Sequence, residues 1–166
     1  MSPFFRSGLF VALATLLADQ ASKLWLLNVF ELGPRGTVRV LPFLDLVLAW
    51  NTGISYGWFQ DSGPVGQTVL LAIKIVAVLA LGIWMARAGT RLAVVGLGLI
   101  IGGAIGNGID RLVHGAVVDF ALLHAEIGGK TYNWYVFNLA DVAIVAGVAA
   151  LLYDSFVTPG AAKTPR

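Results

Sequence analysis

Long apolar runs dominate the hydropathy pattern of this chain. Four stretches, at about residues 8–29, 65–86, 92–109 and 137–156, are long enough to cross a hydrocarbon core, which takes about 20 helical residues. Two long connections separate them, at about 30–64 and 110–136. In the first, strand-forming runs at 37–40 and 44–48 flank Pro42 and predict a small hairpin or sheet. The pattern predicts an all-α integral membrane protein with four transmembrane helices and a small β-sheet in the first outer loop.

Composition supports a membrane protein. Of the 166 residues 58% are hydrophobic and 12% are charged, whereas a soluble domain usually has about 25% charged residues. The absence of cysteine excludes disulfides, thiolate metal sites and a cysteine nucleophile. A net charge of +2 without a run of Lys or Arg gives no support for a nucleic-acid partner. We therefore expect a single membrane domain over residues 1–166.

The distribution of basic residues predicts the topology. Arg6, Arg87 and Arg91 lie in the N-terminal tail and the short second connection, and Lys163 and Arg166 lie in the C-terminal tail. By the positive-inside rule both termini, including the tail at 157–166, are cytoplasmic, and the two long loops face outside. The sheet in the first loop is then extracytoplasmic. Asp19 and Gln20 stand where a cleaved signal peptide would have small residues, so the first span is better interpreted as a retained helix.

Charged residues within the predicted spans are the most informative positions. Each ionised group at mid-depth costs a few kcal/mol, so such residues usually have a function. Most lie at the predicted outer ends of the spans, where they could converge in one layer. Lys74 is the exception, because it lies mid-span, and we expect it to snorkel or to pair with another span. The set is Asp19, Lys23, Lys74, Asp110, Arg111 and Asp141.

Glycines in the third span recur at helical spacing. Gly98, Gly102 and Gly106 are four residues apart and would form one smooth face. Small residues at this spacing allow a neighbouring helix to approach closely. We interpret them as packing residues rather than a phosphate-binding loop, since no strand precedes them.

Five polar boxes follow one another along the chain. In a helix Asp19 and Lys23 share a face, as do Asn107 and Arg111, and Asn138 can pair with Asp141 three residues on. Gly115 is a place where the chain could break and turn back after the third span. The boxes are Asp19-Gln20-Ala21-Ser22-Lys23, Asn51-Thr52-Gly53-Ile54-Ser55-Tyr56, the segment 102–111, Val117-Val118-Asp119-Phe120 and Phe137-Asn138-Leu139-Ala140-Asp141.

The order and spacing of these boxes, over about residues 15–145, closely resembles the lipoprotein signal peptidases (signal peptidase II) of bacterial inner membranes. The resemblance implies an aspartic endopeptidase that removes the signal peptide from diacylglyceryl-modified prolipoproteins, cutting before the lipidated cysteine. From the residues and the predicted topology we expect an active site near the outer face, a monomer in contact with membrane lipid, and no metal or other cofactor. The matching motifs make Asp119 and Asp141 catalytic. The family's substrate-binding or site-supporting positions match Asp19, Lys23, Asn51, Gly53, Asn107, Asp110, Arg111 and Asn138.

Paired carboxylates suit this chemistry. Two aspartates that share one proton supply a base for the attacking water and an acid for the scissile carbonyl, without metal or nucleophile. Each aspartate also has a structural interpretation. Asp141 could cap the fourth helix, and we expect Asp110 with Asn107, and Asp19 with Lys23, to be mainly structural.

Three other interpretations are open. Gly53-Ile54-Ser55-Tyr56-Gly57 fits G-x-S-x-G, and His114 or His124 could serve Ser55 as base in a serine hydrolase. The intramembrane charges could form an ion pathway in a transporter, although they gather at one side. A zinc site would have to rest mainly on carboxylates, because the two histidines are ten residues apart and there is no thiol. We expect Asp45, Asp61 and Glu126 to be solvated loop residues.

Overall fold

Four long helices and a four-stranded sheet make up the part of the chain that a computed structural model describes, residues 1–53 and 63–158. The long helices are α1 (Phe5–Asn28), α3 (Gly63–Arg87), α4 (Arg91–His114) and α5 (Leu139–Val157). A single helical turn, α2 (Leu32–Arg35), follows α1. The strands are β1 (Val38–Leu41), β2 (Leu44–Asn51), β3 (Val117–Ile127) and β4 (Lys130–Phe137). Within the described residues α1, α4 and α5 are long and apolar enough to cross a membrane.

Helix α4 is the centre of the bundle and packs against α1, α3 and α5. A Cβ added to Gly98 would lie 2.6 Å from the carbonyl oxygen of Gly8 on α1. One added to Gly103 would lie 2.6 Å from that of Ala140 on α5. The predicted packing face is confirmed, because Gly98, Gly102 and Gly106 all face α1, and other glycines bring α5 equally close.

The sheet is antiparallel throughout, in the order β1-β2-β3-β4. The expected hairpin in the first connection is confirmed as β1 and β2. The sheet is larger than the first loop predicts, because the second long connection adds β3 and β4 to it. Gly128 and Gly129, at φ 60° and 74°, form the tight turn between these strands, a turn in which positive φ matches the twist of the hairpin.

Helix α4 extends further than the sequence predicts, to His114 rather than to about residue 109. Asp110 and Arg111 remain helical because each side chain finds partners outside the apolar core. Gly115 then ends the helix at φ 71°, and its N–H donates to the carbonyl of Arg111 over 3.1 Å. The expected break at Gly115 is thus confirmed. The chain turns there and enters β3, which carries Asp119 back beside the helix ends.

Asp45 is a correction to the expectation of a solvated loop residue. It lies on β2 with 7% of its surface exposed. Its carboxylate lies 3.3 Å from the Arg39 guanidinium on β1 and 3.3 Å from the imidazole of His124 on β3. Sheet pairing places these residues together, which no local pattern could reveal. Glu126 is exposed, but on β3 rather than in a loop, and Asp61 lies outside the described residues.

Candidate active site

Asp119 lies on β3 and is held from two sides. The side-chain amide of Asn51, at the end of β2, donates to Oδ2 over 3.1 Å. The amide of Asn138, just before α5, donates to Oδ1 over 2.7 Å. The β2–β3 ladder pairs Ala49 with Asp119 and Asn51 with Val117, so strand register sets the first contact. Only 3% of Asp119 is exposed, and both of its oxygens are therefore fixed in direction.

Asp141 occupies the first turn of α5 in a capping box. The Asn138 side chain accepts from the Asp141 N–H at 3.0 Å, and Asp141 Oδ2 accepts from the Asn138 N–H at 3.2 Å. Its other oxygen accepts from the side-chain amide of Asn107 on α4, at 2.9 Å. The capping interpretation is therefore confirmed, and the same cap aims the remaining carboxylate oxygen toward α4. Asn138 contacts both aspartates and so links them.

A buried charge network supports this pair. The Lys23 ammonium on α1 lies 2.8 Å from Asp19 and 2.7 Å from Asp110 on α4, and donates to Asn107 over 2.9 Å. Asp19 accepts from the N–H of Ala140 in α5, and Asp110 accepts from that of Val118 in β3. The network therefore joins α1, α4, α5 and β3. The expected face shared by Asp19 and Lys23 is confirmed, and the contacts of this cluster fit the prediction of a mainly structural role.

Gln20 is a member of this network that the sequence analysis did not select. Its side-chain amide donates to Asp110 over 2.9 Å and to the carbonyl of Gly106 over 3.2 Å. It lies within the first polar box, so its position beside Asp19 was the available signal.

Arg111 contacts the two residues that directly follow β2. Its guanidinium donates to the carbonyl of Gly53 over 2.6 Å and to that of Thr52 over 3.3 Å. The N–H of Gly53 in turn donates to the side-chain oxygen of Asn51. These contacts hold the segment that carries Asn51 against α4, so Gly53 and Arg111 act on Asp119 through Asn51.

Both aspartates line one cavity of about 810 Å³. Asn51, Asn107 and Arg111 line it at the polar end. Val142, Val145, Ala146 and Ala149 line it along α5, and Trp134, Tyr135 and Phe137 line it from β4. Lys74 from α3 also lines the cavity. Within the described residues it has no hydrogen-bond or ion-pair partner, so the prediction that it pairs with another span is not confirmed. The aromatic β4 residues were missed because β4 itself was missed.

Burial changes the acidity of Asp119. The pKa of its carboxyl is raised from 3.8 to about 6, mainly by removal from water and also by the nearby charge of Asp141. Hydrogen bonds from Asn51 and Asn138, and the charge of Lys23, lower the pKa and limit the rise. A carboxyl that keeps its proton to about pH 6 can act as an acid close to neutral pH.

The serine hydrolase interpretation gains no support from the histidines. His114 packs its ring against Trp50, with centroids 5.4 Å apart, and His124 lies beside Asp45. Neither is among the described residues that line the cavity. Ser55 and the rest of that motif, residues 54–57, lie outside the described residues.

The long apolar helices, the antiparallel sheet and the two cavity-facing aspartates define a helical membrane protein with a pair of carboxylates in one cavity. The family model described as signal peptidase (SPase) II matches residues 11–157, and the chain belongs to that peptidase family. It is similar, at 72% identity over 99% of this chain and 100% of the relative, to a lipoprotein signal peptidase of Nitrobacter hamburgensis. A lipoprotein signal peptidase of Rhodopseudomonas palustris is 69% identical over 96% of this chain and 98% of the relative.

Solved structures with the same fold are also membrane enzymes. A bacterial membrane enzyme determined by the in meso method at 2.3 Å resolution superposes with a TM-score of 0.77 at 25% identity, covering 96% of this chain and 93% of that one. A second, at 1.9 Å resolution, gives a TM-score of 0.72 at 27% identity over 89% and 90% of the two chains. The transporter interpretation is therefore replaced by that of a membrane peptidase.

Proposed function

We propose that this chain removes the signal peptide from diacylglyceryl-modified prolipoproteins, cutting before the lipidated cysteine with a water molecule activated by Asp119 and Asp141. The observation that carries the proposal is that both carboxylates line one cavity and share Asn138 as a neighbour. The family and the names of the relatives support the substrate class.

The two aspartates have different surroundings, which suggests different roles. Asp119 holds its proton up to about pH 6 and is the acid that donates a hydrogen bond to the scissile carbonyl. Asp141 accepts from the side-chain amide of Asn107 and the backbone N–H of Asn138 at the start of a helix. With Asp119 as the acid, the complementary role of base falls to Asp141.

Hydrolysis then needs no other reactive group. Asp141 takes a proton from the water molecule while the water oxygen attacks the carbonyl carbon, and the proton of Asp119 moves to the carbonyl oxygen. The tetrahedral intermediate collapses when its hydroxyl returns a proton and the leaving nitrogen gains the proton held by Asp141. The peptide bond breaks, and the pair regains its single proton. Because the carboxyls act as one unit, their titration belongs to the pair.

The apolar part of the cavity suits the lipid of the substrate. Val142 and Val145 on α5 are 47% and 69% exposed although they line it. Each methylene buried there contributes about 0.8 kcal/mol, so an acyl chain along α5 would hold the modified cysteine near the aspartates.

In the membrane, we infer four spans, with α3 as the second. Large apolar residues of α3, including Ile73, Val76 and Leu79, are more than half exposed, as expected of a lipid-facing helix. The Lys and Arg distribution supports cytoplasmic termini in a bacterial inner membrane, which places the sheet and the aspartates near the outer face. We infer that the enzyme acts as a monomer on lipoprotein and lipid, without a cofactor or nucleic acid.

The test is cleavage of a diacylglyceryl-modified prolipoprotein by purified protein in detergent. We expect Asp119→Asn and Asp141→Asn each to lower kcat at least about 10³-fold, since an amide can neither take nor donate the proton. Asp154→Asn, on the same helix but bonded to Thr90 at the other end, is the matched control and should cut normally. Ser55→Ala should also cut. Activity in either cavity variant would refute the pair, and loss in Ser55→Ala alone would favour a serine nucleophile.

A further inference from the structure

Lys74 is a charged residue of the cavity that the proposed reaction does not use. It lies near the middle of α3 and is half-buried. It lines the same cavity as Asp119 and Asp141. It forms no hydrogen bond or ion pair with any residue in the described ranges, whereas Lys23 is bound on three sides. An ammonium in an apolar span is costly, so its charge needs a counterpart.

The charges around the cavity indicate what that counterpart is. Lys23 and Arg111 are the other cations, and Asp19 and Asp110 are the carboxylates of the supporting network. These four charges balance one another. If the carboxylate pair holds one proton, a single negative charge remains, and Lys74 is the cation that balances it. The charged and titratable groups that surround this space are Asp19 and Lys23 on α1, Asp110 and Arg111 on α4, Asp119 on β3, Tyr135 on β4 and Asp141 on α5.

We propose that Lys74 is the counter-ion of the single negative charge carried by the Asp119–Asp141 pair, and that as a positioning residue it sets the pH range in which the pair holds one proton. The inference rests on the proposed function of the pair. Electrostatics favours it because Lys74, on α3, and Asp141, on α5, line the same cavity and their opposite charges attract each other. A low-dielectric site is most stable when its net charge is zero.

Removal of Lys74 should therefore shift the pH dependence rather than only scale the activity. Without the cation, every negatively charged state of the pair is less stable, so each proton is lost at a higher pH. Both limbs of the bell-shaped profile of kcat/KM therefore move to higher pH, by about one pH unit for the loss of one nearby opposite charge. The ratio of variant to wild-type activity then rises about tenfold across each limb.

The experiment is the pH profile of kcat/KM and of kcat for wild type, Lys74→Met and Lys74→Arg. We expect the upward shift in Lys74→Met and the wild-type profile in Lys74→Arg, which keeps the positive charge. Arg87→Met removes a cation from the exposed end of the same helix and should leave the profile in place. A profile that drops without moving, or a change in KM alone, would overturn the inference.

Failure of the inference can be told apart from failure of the proposed function. If Asp119→Asn and Asp141→Asn are inactive but Lys74→Met has the wild-type profile, the pair stands and Lys74 is not its counter-ion. If either aspartate variant cuts normally, the proposed function itself is wrong, whatever Lys74 does. Tyr135→Phe tests the remaining titratable group of the cavity, and a shift there in place of Lys74 would also overturn the inference.

Discussion

The two halves of α4 meet their neighbours by opposite means. In the first half, Val94 and Leu97 are fully buried, and Gly98 approaches the α1 backbone so closely that no side chain fits. In the second half, Asn107 and Asp110 are equally buried but meet ammonium, amide and backbone N–H groups. One half is held by shape and the other by charge, within a single helix of 24 residues.

The difference indicates which half of α4 serves the proposed active site. Close packing of small residues stabilises helices in a membrane without polar groups. Buried charges add little net stability over apolar residues, and they are strongly destabilising when one partner is lost. The polar half is therefore a costly way to hold helices together. Its geometry is explained by the two aspartates that it positions through Asn107 and Asn138.

The largest expected effect comes from breaking the polar half. Lys23→Met would leave Asp19 and Asp110 buried without their cation, at a cost of about 3–5 kcal/mol in unfolding free energy. Thermal unfolding in detergent measures the loss. Lys130→Met removes an exposed lysine from β4 and should have little effect. Equal stability of the two variants would show that the buried network does not hold the helix ends.

The packed half should respond to a single methyl group. Gly102→Ala places a Cβ against the carbonyl oxygen of Ala12. Because a backbone atom of a packed helix cannot easily move away, we expect the free energy of unfolding to fall by about 1–3 kcal/mol. Gly108→Ala is the matched control, because a Cβ there meets nothing within 4 Å. It should be neutral, or stabilising by about 0.5–1 kcal/mol through helix propensity. Thermal unfolding of both variants in the same detergent should show a loss of stability only in Gly102→Ala, and equal losses would contradict the packing argument.

Much of this contrast can be predicted from the sequence, because the residues that create it recur at helical spacing. The face of Gly98, Gly102 and Gly106 and the pair of Asp19 with Lys23 are both local patterns on one helix, and the structure confirms both. The family resemblance, now shown, supplied the grouping of boxes that lie far apart in the chain.

Contacts between distant segments were harder to predict. Strands β3 and β4 were missed because the second loop was interpreted only through its polar box, although Gly128-Gly129 between strand-forming runs is a hairpin signal. That omission also hid the aromatic wall of the cavity and the partner of Asp45, which is His124 on β3. The charge of Lys74 was evident from the sequence, but a single polar residue in an apolar helix does not show which side of that helix faces the site.

A smaller, pH-dependent effect distinguishes the site from the packed half. The raised pKa of Asp119, about 6, means that its contribution to stability is fully present below the unfolded value of about 4 and is lost as the pH rises through 6. Asp119→Asn avoids this loss, so at pH 8 it should be more stable than wild type by about 1–2 kcal/mol, and at pH 4 it should have no such advantage.

Thermal unfolding of wild type and Asp119→Asn across pH 4–8 measures this difference. Gly108→Ala serves again as control, because its effect should be independent of pH. A constant offset between Asp119→Asn and wild type would show that burial does not raise the pKa of this carboxyl in the folded protein.

The smallest expected effect tests the contact at the end of β2. The Asn51 amide bonds the Asp119 carboxylate at 3.1 Å and lowers its pKa, so Asn51→Ala should raise that pKa above about 6. The alkaline limb of kcat/KM reports the loss of the acid's proton and should move upward by about half a pH unit. Asn28→Ala, an exposed amide at the end of α1, is the control. An upward shift of the acidic limb instead of the alkaline limb would mean that Asp119 titrates as the base, and the acid and base roles of Asp119 and Asp141 would then have to be exchanged.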